Sequence, residues 1–229
     1  MNFHFLQLRR LKIRVILLSP LVITFVLWWL AKIDRGSVVS ISELPRLGSQ
    51  IVALWSVILL SYSYILSSRT HVLEKFLRGL DKVYQYHALI GKAVFVCILL
   101  HPALLIIYHF GNWSEVMSLI IPFVGNTSLA KSAALVGLFL YVLLISVTLL
   151  KVFSYHIWKL THSFIGIPFF LISYHSLFAE SDVKHYVPLQ IWMLIWIGVG
   201  ILAYLYITLL YKSLGPKHRY SVSSVKKVG

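Results

Sequence analysis

Four of the ten histidines fall as two widely spaced pairs in long apolar stretches, where a ligating or ionisable side chain is costly and marks a functional position. His87 and His101 are 14 residues apart in one stretch, and His162 and His175 are 13 apart in another. One further apolar stretch lies between these two, so membrane-crossing helices carrying them run parallel. Parallel helices bring His87 level with His162 and His101 level with His175. A rise of about 1.5 Å per residue separates the levels by roughly 20 Å, most of a hydrocarbon core about 30 Å thick. Neutral imidazole is an axial ligand for haem iron, and a porphyrin is large and apolar enough to fill a helix bundle. Zinc fits poorly, because it takes four ligands at one depth and each level offers two. The pattern points to two stacked metal-centred discs, which would form a route for electrons across a membrane.

The 13-residue spacing carries a tension. At about 100° per residue, 14 residues come within about 40° of whole turns, whereas 13 leave His175 about 140° from His162. Pro168 lies between them, and a proline kink can re-phase a helix. Other candidates are placed by these histidines. Lys92 is little more than one turn from His87 toward the bilayer centre, where it either snorkels or neutralises a haem propionate. Phe95 and Phe169 lie between the two levels and either fill the gap there or pack against core and lipid. His185 sits near Glu180 and Asp182, where hard carboxylates would suit ferric ion or where a loop is simply solvated.

The elements that must hold these residues follow from composition. Of 229 residues, 59% are hydrophobic and 12% charged, with a mean hydropathy of +0.84. A soluble domain is about half apolar and a quarter charged. Soluble enzymes, nucleic-acid-binding modules and disordered chains are excluded, leaving an integral membrane protein. Six apolar segments can be placed at about 15–31, 47–66, 87–110, 131–150, 157–178 and 188–211. The expected fold class is all-α, a bundle of six transmembrane helices. The first segment follows Arg9, Arg10, Lys12 and Arg14 and runs into Trp28 and Trp29 without a small-residue cleavage site, which reads as an uncleaved anchor.

Orientation follows from 21 Lys and Arg against seven acidic residues, a net charge of +14. The N-terminus, the second loop (Arg69, Lys75, Arg78, Lys82), the short fourth loop (Lys151, Lys159) and the tail together carry fifteen basic residues. The opposite side carries five: Lys32, Arg35, Arg46, Lys131 and Lys184. That bias puts both termini in the cytoplasm. The single cysteine, Cys97, excludes disulfides, iron–sulfur clusters and C-x-x-C-H haem attachment by count.

The stretch Leu80-Asp81-Lys82-Val83-Tyr84-x-x-His87, then His101, Trp158-x-x-x-His162 and His175, resembles the ferric reductase-like transmembrane domain. That family includes NADPH oxidases, ferric-chelate reductases and the haem subunit of the periplasmic methionine sulfoxide reductase system. The likeness covers about residues 13–212. The resemblance implies two b-type haems with His87, His101, His162 and His175 as axial ligands. It also implies FAD or FMN supplied by a cytoplasmic flavoprotein or a flavin domain, and ferric iron or dioxygen as extracytoplasmic acceptor. Two departures stand out. The flavin and nicotinamide domain that normally follows the last span in that family is expected to be missing here, although His218-Arg219-Tyr220-Ser221-Val222 resembles the entry into one. The second span lacks an Arg, and Leu105 stands one turn after His101, so the pattern of the superoxide-forming members is absent.

The expected organisation is a basic cytoplasmic N-terminus (1–12), a haem-binding transmembrane domain (13–212) and a cytoplasmic tail (213–229), in a cell membrane of bacterial inner-membrane type. The expected activity is that of an oxidoreductase of the NAD(P)H oxidase or ferric reductase type, dependent on a flavin partner. A second reading is a haem membrane subunit that feeds a separate periplasmic reductase such as methionine sulfoxide reductase. A third is a transporter or scaffold with incidental histidines.

Overall fold

A computed structural model describes residues 3–37, 40–122, 128–150 and 153–214. The tail segment His218–Val222, which resembles the entry into a flavin domain, lies outside them. Helix α1 (Phe3–Asp34) is followed by α2 (Leu44–Ser67), short α3 (His71–Leu77), α4 (Leu80–Tyr108) and α5 (Trp113–Ile120). Then come α6 (Leu129–Leu150), α7 (Tyr155–Ser163), α8 (Gly166–Phe178), one turn α9 (Asp182–His185) and α10 (Val187–Leu205), which continues through a π turn at Tyr206–Leu210. No strand occurs among the described residues. Among the described residues five helices are long and apolar enough to cross a membrane: 15–34, 41–67, 80–108, 129–150 and 187–210.

The remaining apolar segment, 157–178, is not one helix but two. Pro168 has no N–H to give the Phe164 carbonyl, and its ring crowds that carbonyl. The chain responds by bonding Ile167 N to Phe164 O (2.9 Å), Phe164 N to Thr161 O (3.1 Å) and Ile165 N to His162 O (3.2 Å). These three-residue bonds are of the tighter 3₁₀ kind, which turns about 20° more per residue than an α-helix. Over the few residues linking α7 to α8, the extra turn acts in the direction that closes the 140° gap between His162 and His175. The Ser163 carbonyl at the break accepts from the Tyr204 hydroxyl of α10 (3.1 Å).

Proline helps join α1 to α2 as well. Pro20 leaves the Ile16 carbonyl without its helical donor. The Tyr62 hydroxyl of α2 supplies one at 2.9 Å, and Trp55 Nε1 donates to Leu21 O at 3.0 Å. A neighbouring helix thus satisfies the freed backbone, as an apolar solvent requires.

α2 packs along α4, α6 along α8, and α10 along α2. The near end of the bundle is where α2 gives way to α4. There Gly79, at φ +125°, turns the chain in a conformation closed to other residues. The far end is where α1 gives way to α2. α10 reaches α2 through Gly200, where a Cβ would lie 3.1 Å from Ser61 Cα and 2.8 Å from the Phe169 ring. A Cβ on Gly198 would meet nothing within 4 Å. Gly200→Val should therefore cost about 1–3 kcal/mol by overpacking. It would be read as a lowered unfolding midpoint in detergent, with Gly198→Val near neutral.

Candidate functional site

The helix pairs position the four intramembrane histidines through their Nδ1 atoms. His101 Nδ1 lies 3.0 Å from Ser49 O and 2.8 Å from Ser49 Oγ. His87 Nδ1 lies 3.1 Å from both Ser63 O and Ser63 Oγ, with Ser67 Oγ at 3.3 Å. His175 Nδ1 lies 3.0 Å from Ala130 O. A carbonyl oxygen only accepts, so Nδ1 carries the proton in all three rings. His162 follows the same rule by a longer route. The Thr148 hydroxyl donates to Leu144 O (2.9 Å), so its oxygen accepts from His162 Nδ1 at 3.3 Å. Each neutral ring therefore presents an unprotonated Nε2, the form in which histidine ligates a metal, while its Nδ1–H is held by an acceptor on a neighbouring helix, as metal-ligating histidines commonly are.

Sequence reasoning did not name Ser49, Ser63, Thr148 or Ala130. A signal existed for two of them. Ser49 and Ser63 are 14 apart on α2, the same interval as His87 and His101 on antiparallel α4. Thr148 and Ala130 are 18 apart, against 13 for their histidines, so no such match was available.

At the near end the His87 and His162 rings face each other edge to face, with centroids 6.1 Å apart at 79°. Trp158, one turn before His162, stacks on it at 5.4 Å and 19°. Exposed Tyr155 continues the aromatic run at 5.7 Å from Trp158. Arg69 lies over the rings of Tyr84 (5.2 Å) and Tyr211 (5.9 Å), tying the ends of α2, α4 and α10. It does so in a left-handed backbone conformation, φ +50°, that costs a non-glycine residue about 1–2 kcal/mol.

At the far end His101 and His175 line one cavity of about 440 Å³ between α2, α4, α6 and α8. Its deeper wall is apolar, with Leu54, Val57, Ile98, Leu135 and Leu138. The donor set and the cavity fit a flat apolar ring bound through nitrogen. Among the described residues no group of three or more His, Cys, Asp or Glu side chains is placed to hold a bare metal ion.

The other sequence candidates lie as follows. Phe169 is fully buried against Tyr64, 4.9 Å away, beneath Gly200. Phe95 is half-buried against the same core, and Lys92 is exposed on α4. The carboxylates considered for ferric ion are already matched. Asp182 pairs with Lys32 (2.6 Å) and Arg35 (3.2 Å), and Glu180 pairs with Lys184 (2.6 Å) and His185. The Lys184 ammonium, then His185, hold the Glu180 carboxyl below its usual range.

The Lys32–Asp182 pair ties the end of α1 to α9 with both side chains only 6% exposed. Removing one member leaves a buried charge unmatched. Asp182→Ala should cost about 3–5 kcal/mol, while the double change Lys32→Met with Asp182→Leu should recover most of it. Thermal unfolding of the three proteins in detergent checks the pattern.

The family model described as the ferric reductase like transmembrane component matches residues 52–174, just over half of the chain, a span that holds His87, His101 and His162 and ends one residue before His175. No curated protein matches the chain. With long apolar helices on either side of the matched segment, the chain belongs to the ferric reductase-like transmembrane family and is a multi-pass membrane protein of the oxidoreductase class that carries electrons through the bilayer.

Proposed function

We propose that the chain conducts electrons across a cell membrane, of bacterial inner-membrane type, through two b-type haems. One is held by His87 and His162 and the other by His101 and His175. The donor is a cytoplasmic flavin, FAD or FMN, on a partner or a fused domain, and the acceptor is extracytoplasmic ferric iron or dioxygen. In this reading the segment 157–178 completes six spans, both termini are cytoplasmic, and the near end is the cytoplasmic one.

One observation carries the reading: four histidines, two at each end, each give Nδ1–H to a neighbouring helix and leave Nε2 free. When bound, haem supplies a one-electron centre with little change of shape. The chain's residues do the rest. The Nδ1 bonds keep the imidazoles neutral and stop the rings from turning. The apolar cavity wall excludes water from the far pair. Moving negative charge outward is favoured by about 2.3 kcal/mol per 100 mV of inside-negative potential. Trp158 and Tyr155 offer an aromatic face from the near-end surface to His162.

Redox titration of histidine variants tests the pairing. His87→Leu and His162→Leu should each remove the same, cytoplasmic-side haem, and His101→Leu and His175→Leu the other. Loss of one haem by both His87→Leu and His175→Leu would overturn it.

Electron entry gives a second test. Arg69, Lys75, Arg78 and Lys82 surround the near end and would draw anionic flavin phosphates or an acidic partner surface. NADPH alone should leave the haems oxidised, and adding a flavin reductase should reduce the near-end haem first. Changing the four residues to Gln should slow that reduction roughly tenfold. Raising the salt should mimic the change, because the Debye length is only about 8 Å at physiological ionic strength. Rapid reduction by NADPH in flavin-free protein contradicts this division of labour.

A further inference from the structure

Among the described residues, three that line the far-end cavity each carry a buried side-chain polar atom without a hydrogen-bond partner: Trp28 Nε1, Gln50 Oε1 and Ser181 Oγ. Unpaired buried polar atoms are few in folded proteins because each forfeits its bond to water. Three around one cavity call for an occupant with polar atoms at that place. Trp28 is 4% exposed, whereas its neighbour Trp29 is 41% exposed, so the first tryptophan of the pair is turned inward rather than into an interfacial belt.

Around the cavity the acids are already matched by cations. Asp182, in the cavity wall, is shared by Lys32 and Arg35, so the three carry one net positive charge. Glu180, also in the wall, is matched by Lys184 and His185. Lys131 adds a further cation, its Nζ donating to Ser118 Oγ at 2.9 Å. Lys32 Nζ stands 5.7 Å from the Trp28 ring. Indole N–H only donates and the Ser181 hydroxyl can donate. The Gln50 amide, turned over, presents its NH₂ instead of its oxygen. Donors with the Lys32 and Lys131 ammonium groups at the same end of the cavity suit a carboxylate.

Resting on the function proposed above, we propose that Trp28 Nε1–H and the Ser181 hydroxyl bind a propionate carboxylate of the haem held between His101 and His175. The Lys32–Asp182–Arg35 group and Lys131 supply the compensating charge. The two ends of the cavity then divide the work, the deep apolar wall taking the ring and the far end taking its acidic edge. α1, which carries none of the four histidines, becomes part of the haem site through Trp28.

The test uses the full chain from haem-starved cells, in lipid nanodiscs, titrated with haem or with haem dimethyl ester, whose propionates are blocked. Wild-type protein should prefer haem. Trp28→Phe keeps the ring and removes the N–H. It should cut the preference about tenfold at one of the two sites, as loss of one hydrogen bond to a charged group does. Ser181→Ala should act in the same direction and provides an independent reading should Trp28→Phe fold poorly. Trp196→Phe removes another unpaired buried indole N–H that is outside the cavity wall and should leave the preference intact.

Equal weakening of haem and ester by Trp28→Phe would mean a packing role and overturn the proposal, as would no change in either. Acetate binding by the haem-loaded protein that Trp28→Phe abolishes, with the haem preference intact, would assign these donors to a separate anion and also overturn it. A wild type that binds neither haem nor ester would overturn the proposed function itself, and this assignment with it.

Discussion

An imidazole buried among apolar helices must give its N–H to an oxygen, and the bundle is arranged around that requirement. α4 meets it through the Ser49 and Ser63 carbonyls of α2, and α7 and α8 meet it through Thr148 and the Ala130 carbonyl of α6. Each helix pair therefore delivers one oriented histidine to each end. α2 is suited to the task. Ser49, Ser56, Ser61 and Ser63 are all buried, and small residues let neighbouring helices approach while hydroxyls satisfy polar groups that lipid cannot. Fixing the ring through Nδ1 also fixes which nitrogen is free. The capacity to ligate is thus a consequence of helix packing.

The broken segment 157–178 shows how one residue reconciles two demands. A continuous α-helix would place His162 and His175 on different faces. Pro168 costs the helix one hydrogen bond and forces a tighter link at Phe164–Ile167. The carbonyl left at Ser163 is covered by Tyr204 of α10, and the Gly166 position leaves room for that ring. The break leaves α7 too short to meet the length of a spanning helix, although the apolar run in the sequence is long enough. Local backbone chemistry, rather than hydropathy, sets the shape of this part of the fold.

Much of this was legible in the residues. Hydropathy located all six apolar segments, and the 14- and 13-residue spacings singled out the four histidines that the helices turn toward acceptors on their neighbours. The angular tension at His175 and the proline that relieves it were both visible from the 3.6-residue period. Other features were not, because they depend on which helices become neighbours. No pattern in Thr148 or Ala130 announces a bond to a histidine far along the chain. Trp28 and Trp29 look alike in sequence, yet the first lines the cavity and the second is exposed. Glu180 and Asp182 suggested a ferric site until the structure placed Lys32, Arg35, Lys184 and His185 beside them. Long-range charge pairing of this kind cannot be read from a single stretch.

The central claim is that the four tethered histidines hold two haems, and a pyridine haemochrome assay on the purified full chain measures this most directly. No cysteine is available for a c-type linkage beyond Cys97, so acid-acetone should release all of the haem. The account predicts close to two haems per polypeptide, released in full. A value consistently near zero from haem-replete cells would contradict it.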